Sequence, residues 1–209
     1  YYLNAFLLAI ALTEITSYLV WFEIIPEFKN ASVMDPTPFM SHISYNPILA
    51  LAIYLVYHKI FIKTNLSAPK FFIYSFFSIS MTIHMFITGG RAGQVMYFVM
   101  LTILIFQFFS NEKIKSLFTV LVLIPLIFFT AYQTSNIFKW KVDRTKQNII
   151  NYEINKNTSV GKRVTFAINS WDVIKENPII GIGTGDFPNE YKKINQINTP
   201  QMPTTTNPH

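Results

Sequence analysis

The sequence predicts an all-α protein, a polytopic bundle of transmembrane helices followed by a long, partly helical extracytoplasmic loop. First, 51% of its 209 residues are hydrophobic and only 13% are charged, whereas charged residues make up about a quarter of an ordinary globular chain. Second, the apolar residues fall into five long runs separated by short loops. Third, the composition becomes polar after residue 132. We therefore assign residues 1–132 to five helices and residues 133–209 to the loop.

The composition also excludes several other classes of protein. A disordered chain needs low hydrophobicity and high net charge, and a disulfide scaffold needs cysteines, of which this chain has none. With only 7 glycines, the chain is neither collagen-like nor a flexible linker. The net charge of +6 is spread over short loops between apolar runs, where basic residues set membrane topology. We therefore expect the lipid bilayer, and no nucleic acid, among its partners.

Each apolar run is close to the length that crosses a bilayer, which is about 20 helical residues with a range of about 17–25. The runs are residues 1–25, 47–62, 71–88, 94–110 and 116–132. Pro125 lies inside the fifth run and predicts a kink there. Because the first residue already lies in an apolar run and the last lies in a polar loop, we expect a fragment of a longer chain, with the loop truncated at its C-terminal end.

The distribution of lysines predicts which loops face the cytoplasm. Short loops on the cytoplasmic side of membrane proteins are rich in basic residues. Here the basic residues cluster around the turns that follow the second and fourth runs: Lys59, Lys63, Lys70, Lys113 and Lys115. The loop 26–46, the turn that precedes Arg91 and the segment after residue 132 then face the outside. This alternation is consistent over all five runs.

The loop 133–209 contains one clear helical pattern. Ser159 is a suitable N-cap residue for it. Apolar residues follow at helical spacing: Val164, Ala167, Ile168, Trp171 and Ile174. Asn177 and Pro178 predict the end of this helix. The glycine-rich segment 181–185 comes next, and we interpret it as a turn because it lacks the spacing and the preceding strand of a dinucleotide-binding motif.

Arg91 is the first candidate for substrate binding. A guanidinium group is always charged, and its rigid fork of donors suits a phosphate. Gly89, Gly90 and Gly93 flank it and would let a ligand approach the backbone closely. The fourth run begins here, so free amides at a helix N-terminus would favour the same anion. The alternative is an interfacial arginine that contacts lipid headgroups.

Two ionisable residues inside the apolar runs have open roles. Glu14 would lie near mid-membrane, where an ionisable group is costly and is by default functional or paired. The alternative is that Glu14 is a neutral acid whose carboxyl group is hydrogen-bonded by three nearby hydroxyl side chains: Thr13, Thr16 and Ser17. His84 lies seven residues before Arg91 and would share its face only if the helix continued through the glycines. A packed, hydrogen-bonded histidine is the alternative.

Two further candidates lie in the loop. Arg163 opens the predicted loop helix, where a solvated charge is the alternative to a substrate contact. His209 is the only histidine after residue 132, and an imidazole serves as a general base near neutral pH. The sequence shows no paired histidine or cysteine spacing typical of a metal site. We therefore expect no metal and no cofactor.

These candidates occur in a characteristic order. A turn of small residues and arginine, residues 88–93, precedes two apolar runs and a long loop. The loop then contains the segments 161–163, 169–171, 176–183, 186–187 and 207–209. Over about residues 70–209, the sequence resembles the O-antigen ligase and polymerase family of bacterial polytopic membrane glycosyltransferases. The family's closing His-Asn pair is half present, because the sequence ends at His209.

The resemblance implies a GT-C-like membrane bundle with further spans, and an inverting, metal-independent transfer on the outer face of the bacterial inner membrane. The donor would be a glycan on undecaprenyl pyrophosphate, and the acceptor a sugar hydroxyl. Arg91 and Arg163 match the family's arginines and would stabilise the pyrophosphate leaving group, with Gly90 and Gly93 beside the substrate. His209 matches the loop histidine, which would orient or deprotonate the acceptor hydroxyl.

Several functions remain as alternatives. A ligase would use lipid A core as acceptor and a polymerase the growing repeat-unit chain, and no residue separates the two. A transporter or flippase of lipid-linked glycans also uses membrane arginines and an intramembrane carboxylate such as Glu14, but it predicts inverted repeats and broken helices, which the sequence does not show. A structural membrane subunit would leave Arg91, Arg163 and His209 dispersed.

Overall fold

The computed structural model describes residues 1–29, 31–62, 66–183 and 185–206, and in these residues every regular element is an α-helix. The helices are α1 (Tyr2–Trp21), α2 (His42–Phe61), α3 (Ala68–Ile87), α4 (Arg91–Phe108), α5 (Lys113–Thr134), α6 (Asn136–Ile150), α7 (Ser159–Glu176) and α8 (Phe187–Asn198). The all-α prediction is confirmed. The five predicted runs correspond to α1–α5, with ends shifted by a few residues.

Four helices in the described part of the chain are long and apolar enough to cross a membrane, namely α1, α3, α4 and α5. α2 has the same 20-residue length as α1 and α3. Its polar side chains, among them His42, Asn46 and Lys59, lower its hydropathy. The structure therefore supports a helical membrane bundle, and membrane crossing by α2 stays a prediction.

The chain divides into two compact units, Tyr1–Lys141 and the part that begins at Val142. In the first unit, α2 packs against both α3 and α4, and it buries apolar residues along its length: Leu49, Ala50, Ala52, Ile53 and Val56. α5 differs, because only Ser116 and Ala131 of its residues are buried. A helix that is apolar on its exposed faces is typical of a lipid-facing span. α5 continues as a helix through Pro125.

In the second unit, α7 packs against α8 and differs from the prediction in two respects. Its N-cap is Thr158 instead of Ser159, because the Thr158 hydroxyl accepts a hydrogen bond from the Gly161 amide at 2.9 Å. The predicted apolar face is exposed, including Ile168 and Trp171. The buried face carries small and polar residues instead: Gly161, Thr165, Asn169, Ser170 and Val173. The predicted end of the helix before Asn177 is confirmed.

Asparagines hold α7 and α8 together. The buried Asn169 side chain donates to Thr199 Oγ1 at 2.9 Å and to Asn195 Oδ1 at 3.3 Å. Asn195 in turn donates to the Met202 carbonyl at 3.0 Å. Buried polar groups are costly unless their hydrogen bonds are made. This network explains why the polar face of α7, and not its apolar face, is the one that packs.

Candidate active site

The turn between α3 and α4, residues 88–90, is held rigidly by polar contacts to its neighbours. The buried Asn46 side chain of α2 donates to Thr88 Oγ1 at 2.8 Å. The side-chain amide of Gln94 in α4 donates from Nε2 to the Thr88 carbonyl at 3.3 Å and to the Met85 carbonyl at 3.2 Å. α3 and α4 are therefore separate helices joined by a fixed turn, so His84 and Arg91 do not lie on one continuous helix.

The glycines around this turn have different surroundings. A Cβ at Gly93 would lie 2.8 Å from the Asn46 carbonyl oxygen, and a Cβ at Gly90 would lie 2.8 Å from the His42 carbonyl oxygen. Both glycines are thus required for close packing of the turn and α4 against α2. Gly89 instead lines a cavity. That Gly90 and Gly93 contact substrate stays a prediction, and at Gly89 a Cβ would lie 3.2 Å from the Lys141 ammonium nitrogen.

Arg91 is the first residue of α4 and is partly exposed. The first amides of a helix have no acceptor within it, and the helix dipole places partial positive charge at this end. An arginine there adds to that positive charge, so the position is electrostatically suited to an anion. Arg91 follows Gly89 by two residues in the sequence, and Gly89 lines the cavity described next.

The cavity beside the turn, called the Trp140 cavity below, has a volume of about 530 Å³. Its lining residues all belong to the first unit: Met34, Asp35, His42, Gly89, Asn136, Ile137, Trp140 and Lys141. The Lys141 ammonium lies 5.3 Å from the centre of the Trp140 ring. The cavity thus combines an aromatic face, apolar side chains and groups of both charges, as small-molecule sites commonly do.

An Asp35–His42 pair lies at the wall of this cavity. Nδ1 of His42 contacts Oδ2 of Asp35. The Asp35 backbone is fixed in turn, because its amide donates to the Ser32 carbonyl at 3.1 Å and its carbonyl accepts from the Thr37 amide at 2.8 Å. Sequence reasoning missed this pair. The only available signal was that both residues fall in the predicted external loop 26–46.

Glu14 and His84 form a second polar cluster, which is buried inside the first unit. His84 Nδ1 lies 2.5 Å from Glu14 Oε1, and the Tyr45 hydroxyl donates to the same oxygen at 3.0 Å. The predicted hydroxyl partners of Glu14 are wrong, because Thr13 and Thr16 bond to carbonyls of their own helix instead. The third, Ser17, makes no hydrogen bond through its hydroxyl to a described residue.

The Glu14–His84 pair also holds the loop that carries Asp35. His84 Nε2 lies 3.3 Å from the Pro36 carbonyl, and a carbonyl only accepts, so Nε2 carries a proton. Nδ1 and the Glu14 carboxyl group are hydrogen-bonded to each other, so the two residues form a buried pair. Ionisable residues inside a membrane bundle are tolerated when they are paired in this way. Because Pro36 follows Asp35, the cluster positions the Asp35–His42 pair.

The loop candidates lie in the second unit or outside the described residues. Arg163 is exposed on α7. Close to the Asn169 network, burial raises the pKa of the Tyr191 hydroxyl above its usual value of 10.0, and the hydrogen bond from Asn169 opposes this shift. His209 lies outside the described residues.

Within the described ranges, no three His, Cys, Asp or Glu side chains form a group that would hold a metal ion.

Comparisons with known proteins identify the family. A family model described as O-antigen ligase matches residues 76–209, which is more than half of the chain and includes the α3–α4 turn and the helices that follow it. The comparisons with curated proteins and with solved structures found no match. The chain therefore belongs to the O-antigen ligase family, multi-pass membrane proteins with ligase- or polymerase-type glycosyltransferase activity.

Proposed function

We propose that this protein transfers a glycan from undecaprenyl pyrophosphate to a sugar hydroxyl of lipid A core, on the periplasmic face of the bacterial inner membrane. The observation that carries the proposal is the position of Arg91. It lies at the N-terminus of α4, directly after a rigid glycine turn that borders the Trp140 cavity. The family match, which includes both Arg91 and Arg163, supports the same reaction class.

The proposed chemistry is a single displacement with inversion at the anomeric carbon. The pyrophosphate leaving group gains negative charge as its bond to the sugar breaks, and positioned cationic donors stabilise that charge in the transition state. Arg91 and Arg163 take this role without a metal ion. The turn and the start of α4, which contain Gly90 and Gly93, lie beside the donor, and His209 orients the acceptor hydroxyl.

A repeat-unit polymerase is the second candidate, because the family match supports ligase- and polymerase-type activity alike. The two differ only in the acceptor, which is lipid A core for a ligase and a growing glycan for a polymerase. The transporter alternative has less support. Its intramembrane carboxylate, Glu14, is engaged by His84 and Tyr45 within a buried cluster.

Glycan transfer in cells tests the proposal. Bacterial cells that lack the full-length protein are complemented with the wild type or with Arg91→Ala, Arg163→Ala or His209→Ala, at matched membrane expression. Arg144→Ala is the matched control, since Arg144 is an exposed arginine outside the proposed set. We expect the wild type and the control to restore the lipopolysaccharide ladder on gels and the three variants to lose it.

The pattern of the gel separates the candidate functions. A defect that leaves core without any repeat unit indicates a ligase, whereas a single repeat unit on the core indicates a polymerase. Full rescue by Arg91→Ala and Arg163→Ala would refute the transferase mechanism proposed here.

A further inference from the structure

The Asp35–His42 pair has no part in the mechanism described so far, yet it lines the Trp140 cavity. The His42 and Asp35 side chains are 27% and 30% exposed, so both are accessible from the cavity. His42 begins α2, and its ring lies 3.8 Å from the position that a Cβ of Gly89 would occupy. The pair therefore lies beside the same turn that precedes Arg91.

The hydrogen bonding of His42 leaves one ring nitrogen available to accept a proton. Nδ1 faces the Asp35 carboxylate, which accepts, so Nδ1 carries the ring proton of the neutral imidazole. Nε2 is then the basic nitrogen. Among the described residues, no group hydrogen-bonds to it. A carboxylate on the opposite side of the ring stabilises the imidazolium that forms when Nε2 takes a proton.

The cavity has the composition of a site for a sugar. Trp140 is 51% exposed and lines the cavity, and an aromatic ring packs well against the C–H side of a pyranose. Asp35 and Asn136 bring a hydrogen-bond acceptor and an amide group to the cavity wall, and Lys141 adds a positive charge there. A volume of about 530 Å³ is within the usual range of small-ligand sites, about 300–1,000 Å³.

We propose that the Trp140 cavity binds the acceptor sugar and that His42, oriented by Asp35, takes the proton from its attacking hydroxyl. This inference rests on the proposed transfer reaction. As the hydroxyl oxygen forms its bond to the anomeric carbon of the donor, its proton moves to Nε2 of His42. The bond from that carbon to the pyrophosphate breaks, and its electron pair leaves with the pyrophosphate. The proton remains on His42 beside Asp35 and returns to solvent after product release.

The test is steady-state transfer by the purified full-length protein in lipid nanodiscs, with an undecaprenyl-pyrophosphate glycan as donor and lipid A core as acceptor. Three variants are compared with the wild type: His42→Gln, Asp35→Asn and His58→Gln. His58→Gln is the matched control, because His58 is on the same helix but outside the cavity. For His42→Gln we expect kcat to fall by about 10²–10⁴-fold, the usual contribution of a general base, with unchanged donor affinity. Asp35→Asn lowers kcat as well, and His58→Gln does not.

Chemical rescue separates proton transfer from packing. Added imidazoles should restore transfer by His42→Ala, and the restored rate should rise with the basicity of the imidazole. A rate that is independent of basicity would overturn the assignment. If melting temperatures show that the His42 variants are unfolded, the kcat of Asp35→Asn is the test. A wild-type kcat in Asp35→Asn overturns the inference.

The proposed function and this inference fail in different ways. A wild-type protein that transfers no glycan refutes the proposed function and the inference with it. An active wild type together with a fully active His42→Gln refutes the inference alone.

Discussion

Replacing Gly93 with alanine should separate α4 from α2. The new Cβ would lie 2.5 Å from the backbone carbonyl carbon of Asn46 and 2.8 Å from its carbonyl oxygen. Ordinary van der Waals contacts begin near 3.4 Å. Because the obstructing atoms belong to the backbone of a helix, no side-chain rotation relieves the overlap, and the two helices must move apart by about 1 Å.

The cost follows from three contributions. Overpacking a close helix contact costs about 1–3 kcal/mol. The 2.8 Å hydrogen bond from Asn46 to Thr88 stretches, which costs about 1 kcal/mol more. Alanine is the better helix former at this position of α4 and returns about 1 kcal/mol. We therefore expect Gly93→Ala to destabilise the first unit by about 1–3 kcal/mol.

The assay is equilibrium unfolding of the full-length protein in detergent micelles, followed by circular dichroism. Gly185→Ala is the matched control, because nothing lies within 4 Å of a Cβ at Gly185. Equal stability of Gly93→Ala and Gly185→Ala would refute the packing account of the glycine turn.

Three further predictions concern the buried polar groups. Glu14→Leu and His84→Leu should each lower the free energy of unfolding by about 3–5 kcal/mol, because each leaves a buried partner unpaired. The double variant should lose clearly less stability than the sum of the two single losses. Additive losses in a double-mutant cycle would contradict the pairing. Asn169→Ala should destabilise the α7–α8 packing by about 1–3 kcal/mol, seen as faster hydrogen exchange of both helices, and unchanged exchange would contradict it. Burial raises the pKa of the Tyr191 hydroxyl above 10.0 in the folded state, so the stability contributed by the neutral hydroxyl is present below pH 10 and is lost as the pH rises through the folded pKa. In Tyr191→Phe, the free energy of unfolding should no longer fall for this reason at alkaline pH. Identical plots of unfolding free energy against pH for the variant and the wild type would contradict the prediction.

The spans could be predicted from sequence because their signal is local. The length of an apolar run and the charges beside it determine where a membrane helix begins and ends. The turn before Arg91 was likewise visible, since its glycines and arginine are adjacent. The surroundings of those glycines were not, because the packing surface at Asn46 comes from another helix.

The polar clusters could not be predicted because their members are distant in sequence or lack a motif. Glu14 and His84 are separated by 70 positions, so neither residue indicates the other. Asp35 and His42 are close in sequence but have no recognisable spacing. The face through which α7 packs could not be predicted for a different reason. Apolar periodicity marks the face that leaves water, whereas this unit packs through the hydrogen bonds of Asn169.

The central claim is that Arg91 stabilises the leaving group at the α3–α4 turn, and the most direct test is release of undecaprenyl pyrophosphate by the purified full-length protein in nanodiscs. We predict that Arg91→Ala lowers kcat by about 10²–10³-fold, the usual cost of removing one positioned donor, whereas Arg144→Ala keeps the wild-type rate. An Arg91→Ala protein that releases undecaprenyl pyrophosphate as fast as Arg144→Ala would contradict the account.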